Sequence, residues 1–225
     1  MLKRLILLVV LITLSSSVFA QRFNKQSSGY GVRDSRFETS ILLNYQNSTN
    51  KDFEGGSALE IDSKAGWGIA LGWNWTAKWN LGYKLTLVKP GYSGTIVPED
   101  PAEPPQTIDY EMSKSTHQLN VTYNFRDKAF TPFIQAGAGV TTLDSNIMSR
   151  PPDVTCWWDP WWGYICVTDW KTFKTTKFSY NLGVGLRWDI NNALFTRASY
   201  NKEFVSVKSG SLSFDTVTLE IGLIF

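Results

Sequence analysis

The chain has 225 residues, 43% of them apolar and 14% aromatic, with 17 glycines, two cysteines and one histidine, and its formal net charge is only +2. Near-neutrality leaves no electrostatic footprint for nucleic acid or an anionic surface. The length suits one all-β domain and does not argue for two.

Lys3 and Arg4 precede an apolar run from Leu5 to Leu14 interrupted only at Thr13, and Val18-Phe19-Ala20 offers small residues for cleavage. This pattern predicts a secretory signal peptide over residues 1–20. No cysteine stands at the junction, so lipoprotein processing is not expected. Removing Lys3 and Arg4 takes the formal charge to zero. Beyond it no run reaches the roughly 18 apolar residues that a spanning helix needs. Residues 21–35 are polar and glycine-bearing, and we read them as a periplasmic lead-in.

From residue 36 the pattern is alternation, the period of a strand with two different faces. In the first predicted strand, about Arg36 to Gln46, Phe37, Thr39, Ile41, Leu43 and Tyr45 share a face, and Leu42 breaks the pattern. Asn47 to Ser63 is predicted as a long loop. The second strand (Lys64 to Trp75) sets Trp67, Ile69, Leu71, Trp73 and Trp75 against Gly66, Gly68, Ala70, Gly72 and Asn74. A tight turn leads to the third, with Trp79, Leu81, Tyr83, Leu85 and Leu87 on one face. Lys89 to Met112 is predicted as a second long loop, because the prolines between Pro98 and Pro105 cannot feed a sheet ladder.

The fourth strand (Ser115 to Phe125) and the fifth (Thr131 to Leu143) follow, joined by a short turn. Asp144 to Phe173 is predicted as the longest loop. The sixth strand carries Phe178, Tyr180, Leu182, Val184, Leu186 and Trp188 against Ser179, Asn181, Gly183, Gly185 and Arg187. The seventh, about Ala193 to Glu203, alternates least clearly. The last, Ser211 to Phe225, is strictly alternating and ends on an aromatic residue. Eight strands of roughly ten residues, with short turns alternating with long loops, describe an eight-stranded antiparallel up-and-down transmembrane β-barrel over residues 36–225.

A soluble lipocalin-like barrel also has one apolar face, but it points that face inward. Two features favour the outward choice. Stacked glycines on the polar face suit the narrow interior of eight strands, and Trp75, Trp79, Phe125, Trp188 and Phe225 all lie beside short turns, as an interfacial girdle would.

That choice puts Glu38, Lys84, Arg187, Arg197 and Glu220 inside, in the periplasmic half. Unpaired buried charge costs several kcal/mol, so these five are expected to pair as an interior plug. Cys156 and Cys166 enclose WWDPWWGYI, and export to an oxidising compartment favours a disulfide between them. No further metal ligand lies nearby. Trp157, Trp158, Trp161, Trp162 and Tyr164 form a cluster with two open readings: contact with a partner, glycan or lipid headgroup, or packing over the barrel mouth. His117 is the only histidine, and any Ser-His-Asp mechanism would need it. It shares the lipid-facing parity with Ser115, where an interfacial histidine is the ordinary reading.

TPFIQAGAGV, FSYNLGVGLRWDIN and LEIGLIF with Phe225 resemble the small outer membrane β-barrel family that includes the outer membrane protein A transmembrane domain and the outer membrane protein X type proteins. The resemblance spans the mature chain. It implies the bacterial outer membrane, lipids as environment, no cofactor, and recognition of Phe225 as an assembly signal by the barrel assembly machinery. Family members include structural proteins, adhesins, small-molecule channels and lipid A enzymes. The expected function is non-enzymatic, in envelope structure or surface interaction through the long loops. The alternative is a narrow channel for small apolar solutes. A lipid A modifying enzyme ranks below both, since that branch's His-x-Ser pattern is missing at His117.

Overall fold

The computed structural model describes residues 33–52, 58–96, 106–149, 153–161, 163–169, 171–207 and 210–225. The expected signal peptide, the lead-in up to residue 32, the Pro98–Pro105 run and Trp162 lie outside the described residues.

In chain order the strands are β1 (Phe37–Gln46), β2 (Thr49–Asp52), β3 (Ala58–Ile61), β4 (Lys64–Asn74), β5 (Trp79–Val88), β6 (Gly91–Ile96) and β7 (Gln106–Glu111). They continue with β8 (Ser113–Asn124), β9 (Phe130–Met148), β10 (Asp153–Asp159), β11 (Gly163–Asp169), β12 (Thr172–Asp189), β13 (Leu194–Val207) and β14 (Gly210–Ile224). Eight of them close a barrel in the order β1-β14-β13-β12-β9-β8-β5-β4. Every neighbouring pair is antiparallel, and the seam joins β1 to β14 with Leu42 opposite Glu220 and Gln46 opposite Thr216.

The faces divide as alternation requires. Ile41 is 65% exposed and Leu219 48%, whereas Glu220 between Leu219 and Ile221 is 2% exposed. A wall that is apolar outside and polar inside is stable only with lipid around it. Aromatic rings mark the level of the short turns. Phe37 stacks against both Trp73 and Phe225 at 6.4 Å, and Trp79 meets Tyr123 at 4.8 Å. Phe125 packs edge-on to Tyr123 at 5.4 Å.

Leu42, which broke the predicted pattern, follows the polar parity and is fully buried in the lumen. Its side chain fills the space that a Cβ on Gly68 would take. Phe133 and Phe195 also point inward, beside Gly185 and Gly222. A narrow lumen takes a large apolar side chain wherever the facing strand supplies a glycine.

The three long connections correct the sequence reading, which took them as loops. The connections after β1 and β5 carry β2, β3, β6 and β7, which pair into one four-stranded sheet. That sheet is docked on the barrel rim: Thr49 Oγ1 donates to the Ser213 carbonyl at 2.9 Å, and Lys51 Nζ to the Ser211 carbonyl at 2.8 Å. Within the third connection β10 and β11 form a hairpin. β9 and β12 also run well past the predicted ends, pairing from Trp188–Phe130 up to Thr172–Met148. A crossing strand needs only about 9–11 residues, so this side of the wall rises above the membrane. Short, polar strand sequences with turn residues between them hid these elements, because alternation is weak where neither face is buried in lipid.

Candidate functional site: a filled lumen and an aromatic hairpin

The lumen is layered. At the periplasmic end the Glu38 carboxylate receives Arg187 Nη2 and Arg197 Nη2, each at 2.5 Å. Asn74 Nδ2 also donates to Glu38, at 2.7 Å. Arg197 Nη1 bridges to Glu220 at 3.1 Å, and Glu220 also accepts from Ser40 at 2.7 Å and faces Lys84 Nζ at 3.5 Å. The five charges expected inside therefore lie in one connected group. Both guanidiniums pack over the Phe195 ring, Arg187 at 4.5 Å and Arg197 at 4.6 Å from its centroid, in cation–π geometry.

Two members were not anticipated. Asp189 binds Arg187 Nε at 2.7 Å, and Arg33 reaches in from ahead of β1 to bind Asp189 at 3.1 Å. Arg33 also donates to the carbonyls of Arg126 and Lys128, tying the chain before β1 to the turn between β8 and β9. Burial draws the Arg33 pKa down to about 10, with the neighbouring Arg187 cation acting in the same direction, so it stays charged at neutral pH. Asp189 could have been found by carrying the inward parity of Arg187 two residues further. Arg33 has no periodic signal around it.

Above the charges sits a layer of amides. Asn181 donates to Asn120 at 2.9 Å and to Gln118, and Gln135 donates to Asn201. A Cβ on Gly137 or Gly183 would strike Asn120 or Asn201. Next comes a second ion pair, Lys114 to Glu203 at 2.5 Å, with Gln46, Thr116 and Thr141 satisfying its remaining groups at 3.0, 3.2 and 2.7 Å. Lys114 Nζ also stands 3.8 Å over the Phe214 ring. Phe214, Ile61, Met112, Val205 and Leu212 then form an apolar cap with Tyr92 and Leu143 against it. Inside this stack the described residues leave cavities of about 50 Å³ and about 10 Å³. That is room for a few waters at most.

Glu220 and Arg187 do not touch but share Arg197 and Glu38 as intermediaries. Substituting each by alanine, singly and together, is expected to give non-additive losses, with a coupling of about 0.5 kcal/mol or more. Urea unfolding from lipid vesicles measures it, and strictly additive losses would dismiss the shared network.

Outside the lumen, Cys156 and Cys166 are opposite each other in the β10–β11 ladder and joined by a disulfide. Trp158 pairs with Tyr164 two positions nearer the tip, so both lie on the face of the disulfide. These two side chains are 73% and 68% exposed, and Trp161 at the tip is 88% exposed. Trp157 is opposite Ile165 on the other parity. His117 is half-buried on the outer face, its Nδ1 2.6 Å from the Tyr83 hydroxyl and its Nε2 3.3 Å from Ser115 Oγ. Tyr83, His117 and Ser115 thus form one hydrogen-bonded group on the outer face of β5 and β8. Phe225 is half-exposed and exchanges two 3.0 Å backbone hydrogen bonds with Phe37.

A closed antiparallel wall, apolar outside and packed with paired charge inside, defines a transmembrane β-barrel. The chain belongs to the outer membrane protein beta-barrel domain family, whose model matches residues 6–225, and its place is the bacterial outer membrane. Its fold is that of Neisserial surface protein A, with 9% identity, a TM-score of 0.52, and coverage of 84% of this chain and 95% of that one. It is also similar to Ail, the attachment invasion locus protein of Yersinia pestis, solved with the heparin analogue sucrose octasulfate (16% identity, 84% and 99% covered, TM-score 0.47). A third similar structure is OprG of Pseudomonas aeruginosa (12% identity, 86% and 97% covered, TM-score 0.45). No curated protein sequence matches the chain.

Proposed function

We propose that this protein is a non-enzymatic, closed barrel that holds the β10–β11 hairpin on the cell surface as a contact element. The observation that carries this reading is the exposed aromatic face of the hairpin, Trp158 and Tyr164 beside the disulfide with Trp161 at the tip. Indole and phenol rings combine apolar area with a polar handle, which suits them to partner contact. A cross-strand disulfide reduces the ordering cost of presenting them. The five-charge group serves as the plug that holds barrel register, and Phe225, seated in the ladder at the seam, is the assembly signal read by the barrel assembly machinery.

Passage of a small apolar solute along the axis is opposed by the filled lumen, where a solute would have to displace the apolar cap and two layers of ion pairs. The purified barrel in a planar bilayer is therefore expected to show no reproducible conductance steps. Cells displaying the protein are expected to adhere to glycan- or protein-coated surfaces more than cells displaying a Trp158→Ala, Trp161→Ala, Tyr164→Ala variant. A Cys156→Ser, Cys166→Ser variant should fall between them. Steady channel steps would overturn the plug, and equal adhesion by all three on every surface would overturn the contact role.

A further inference from the structure

We infer that the lumen holds one small monovalent anion, of halide size, in the cavity beside Lys84. This site is separate from the hairpin and does not depend on its role.

The buried charges of the lower lumen form a chain of ion pairs in which the signs alternate, running Arg33, Asp189, Arg187, Glu38, Arg197, Glu220, Lys84. A cation stands at both ends. At formal charge, four cations face three carboxylates, an excess of +1. The Lys114–Glu203 pair above the chain is neutral and does not change that sum. Excess charge enclosed away from water is strongly unfavourable unless a counter-charge joins it. The two ends differ in what they can reach. Arg33 closes the periplasmic opening and donates to the carbonyls of Arg126 and Lys128. Lys84 ends the chain inside the barrel, with Glu220 at 3.5 Å and Gln135 Oε1 at 3.2 Å. An ammonium has three N–H donors, so one is left over at that end.

Lys84 borders the cavity of about 50 Å³ that lies between this chain and the upper ion pair. Among the described residues three ionisable groups line it, Lys84, Lys114 and Glu203, and the last two are paired with each other at 2.5 Å. Glu220 lines the smaller cavity instead, so the space beside Lys84 has no free carboxylate of its own. Donors surround it. Gln46 Nε2 in the same wall is buried without a hydrogen-bond partner, and Thr86, Thr216 and Thr218 add hydroxyls. Asn44 Oδ1 and Asn181 Oδ1 are unpartnered acceptors in that wall, and they suit waters that complete the shell of an anion. Water alone would fill the space but leave the excess charge where it is. A metal cation would add to that charge. Phosphate and sulfate carry more negative charge than the chain lacks, and they are too large for a space that takes a few waters. A halide has the matching charge and size.

The test refolds the full barrel in sodium bromide, sodium chloride or sodium gluconate at equal ionic strength. Crystals from bromide are expected to show one anomalous peak within hydrogen-bond reach of Lys84 Nζ and Gln46 Nε2. In solution either halide should raise the midpoint of the gel-mobility shift by about 2–4 °C over gluconate, and the rise should saturate with concentration. Lys84→Met removes the excess charge and should erase the halide effect. Gln46→Leu should reduce it, and Lys202→Met, on the outer face of β13, should leave it unchanged. Water alone in the cavity of the bromide crystals, or equal midpoints in halide and gluconate, overturns the proposal. So does bromide found only at the unpartnered Nη1 atoms of Arg33 or Arg187, or a folded Lys84→Met that keeps the halide shift. If Lys84→Met does not fold, the bromide map and the wild-type salt comparison decide without it.

Discussion

Glu38→Ala is expected to be the most damaging single change in the membrane-spanning part of the chain, costing about 3–5 kcal/mol, the usual penalty for stripping one partner from a buried ion pair. The carboxylate is 3% exposed and its two oxygens are divided between Arg187 and Arg197. Without it, two guanidiniums stay packed against Phe195 with Asp189 and Glu220 left to balance them. Neither cation can swing out to water, because Arg33 closes the space toward the periplasm and the amide layer closes it above. Glu38→Gln should recover part of the loss, since an amide oxygen still accepts one hydrogen bond. Urea unfolding from vesicles and the temperature of the gel-mobility shift both report it. A Glu38→Ala barrel as stable as wild type would mean that water, not protein, solvates these arginines.

What the sequence made legible follows from where a strong solvent contrast acts on the backbone. Lipid on one side and a polar lumen on the other force strict alternation, so β1, β4 and β14 were readable within a few residues, and the inward parity named Glu38, Lys84, Arg187, Arg197 and Glu220. The same rule, carried one step past the predicted ends, would have reached Asp189 and Lys114, and Glu203 stood on the inward parity of Arg197 at the end of the predicted seventh strand; the three complete the two ion-pair layers. Above the membrane the contrast fades. β2, β3, β6 and β7 have water on one side and only a small apolar cluster on the other, so Ile61 and Met112 looked like isolated residues in polar loops. Phe214 and Leu212 were visible as residues of the closing strand, but their partners come from strands that local patterning does not bring near.

That apolar cap supports the second large effect. Phe214→Ala is expected to cost about 3–5 kcal/mol, and the loss should fall on the exterior sheet, not on the spanning wall. Phe214 is fully buried among Ile61, Met112, Val205 and Leu212, so its removal opens a void where β3 and the β7–β8 junction rest on β13 and β14. It also takes the ring away from Lys114, which keeps its contacts to Glu203 and Gln46. The sheet is otherwise fastened to the rim of β14 by a few hydrogen bonds, those of Thr49 and Lys51 among them. Limited trypsin digestion separates the two regions. In the Phe214→Ala variant new cleavage is expected after Lys51, while the gel migration of the folded barrel is retained, because the lumen layers below are untouched. Cleavage within the spanning strands, or a digestion pattern identical to wild type, would show that the sheet does not depend on this cap. The restrained outcome has a functional reading as well. Even with its cap loosened the barrel should remain non-conducting in a planar bilayer, because the proposed plug includes the Lys114–Glu203 pair and the Glu38 cluster, both of which lie below the cap.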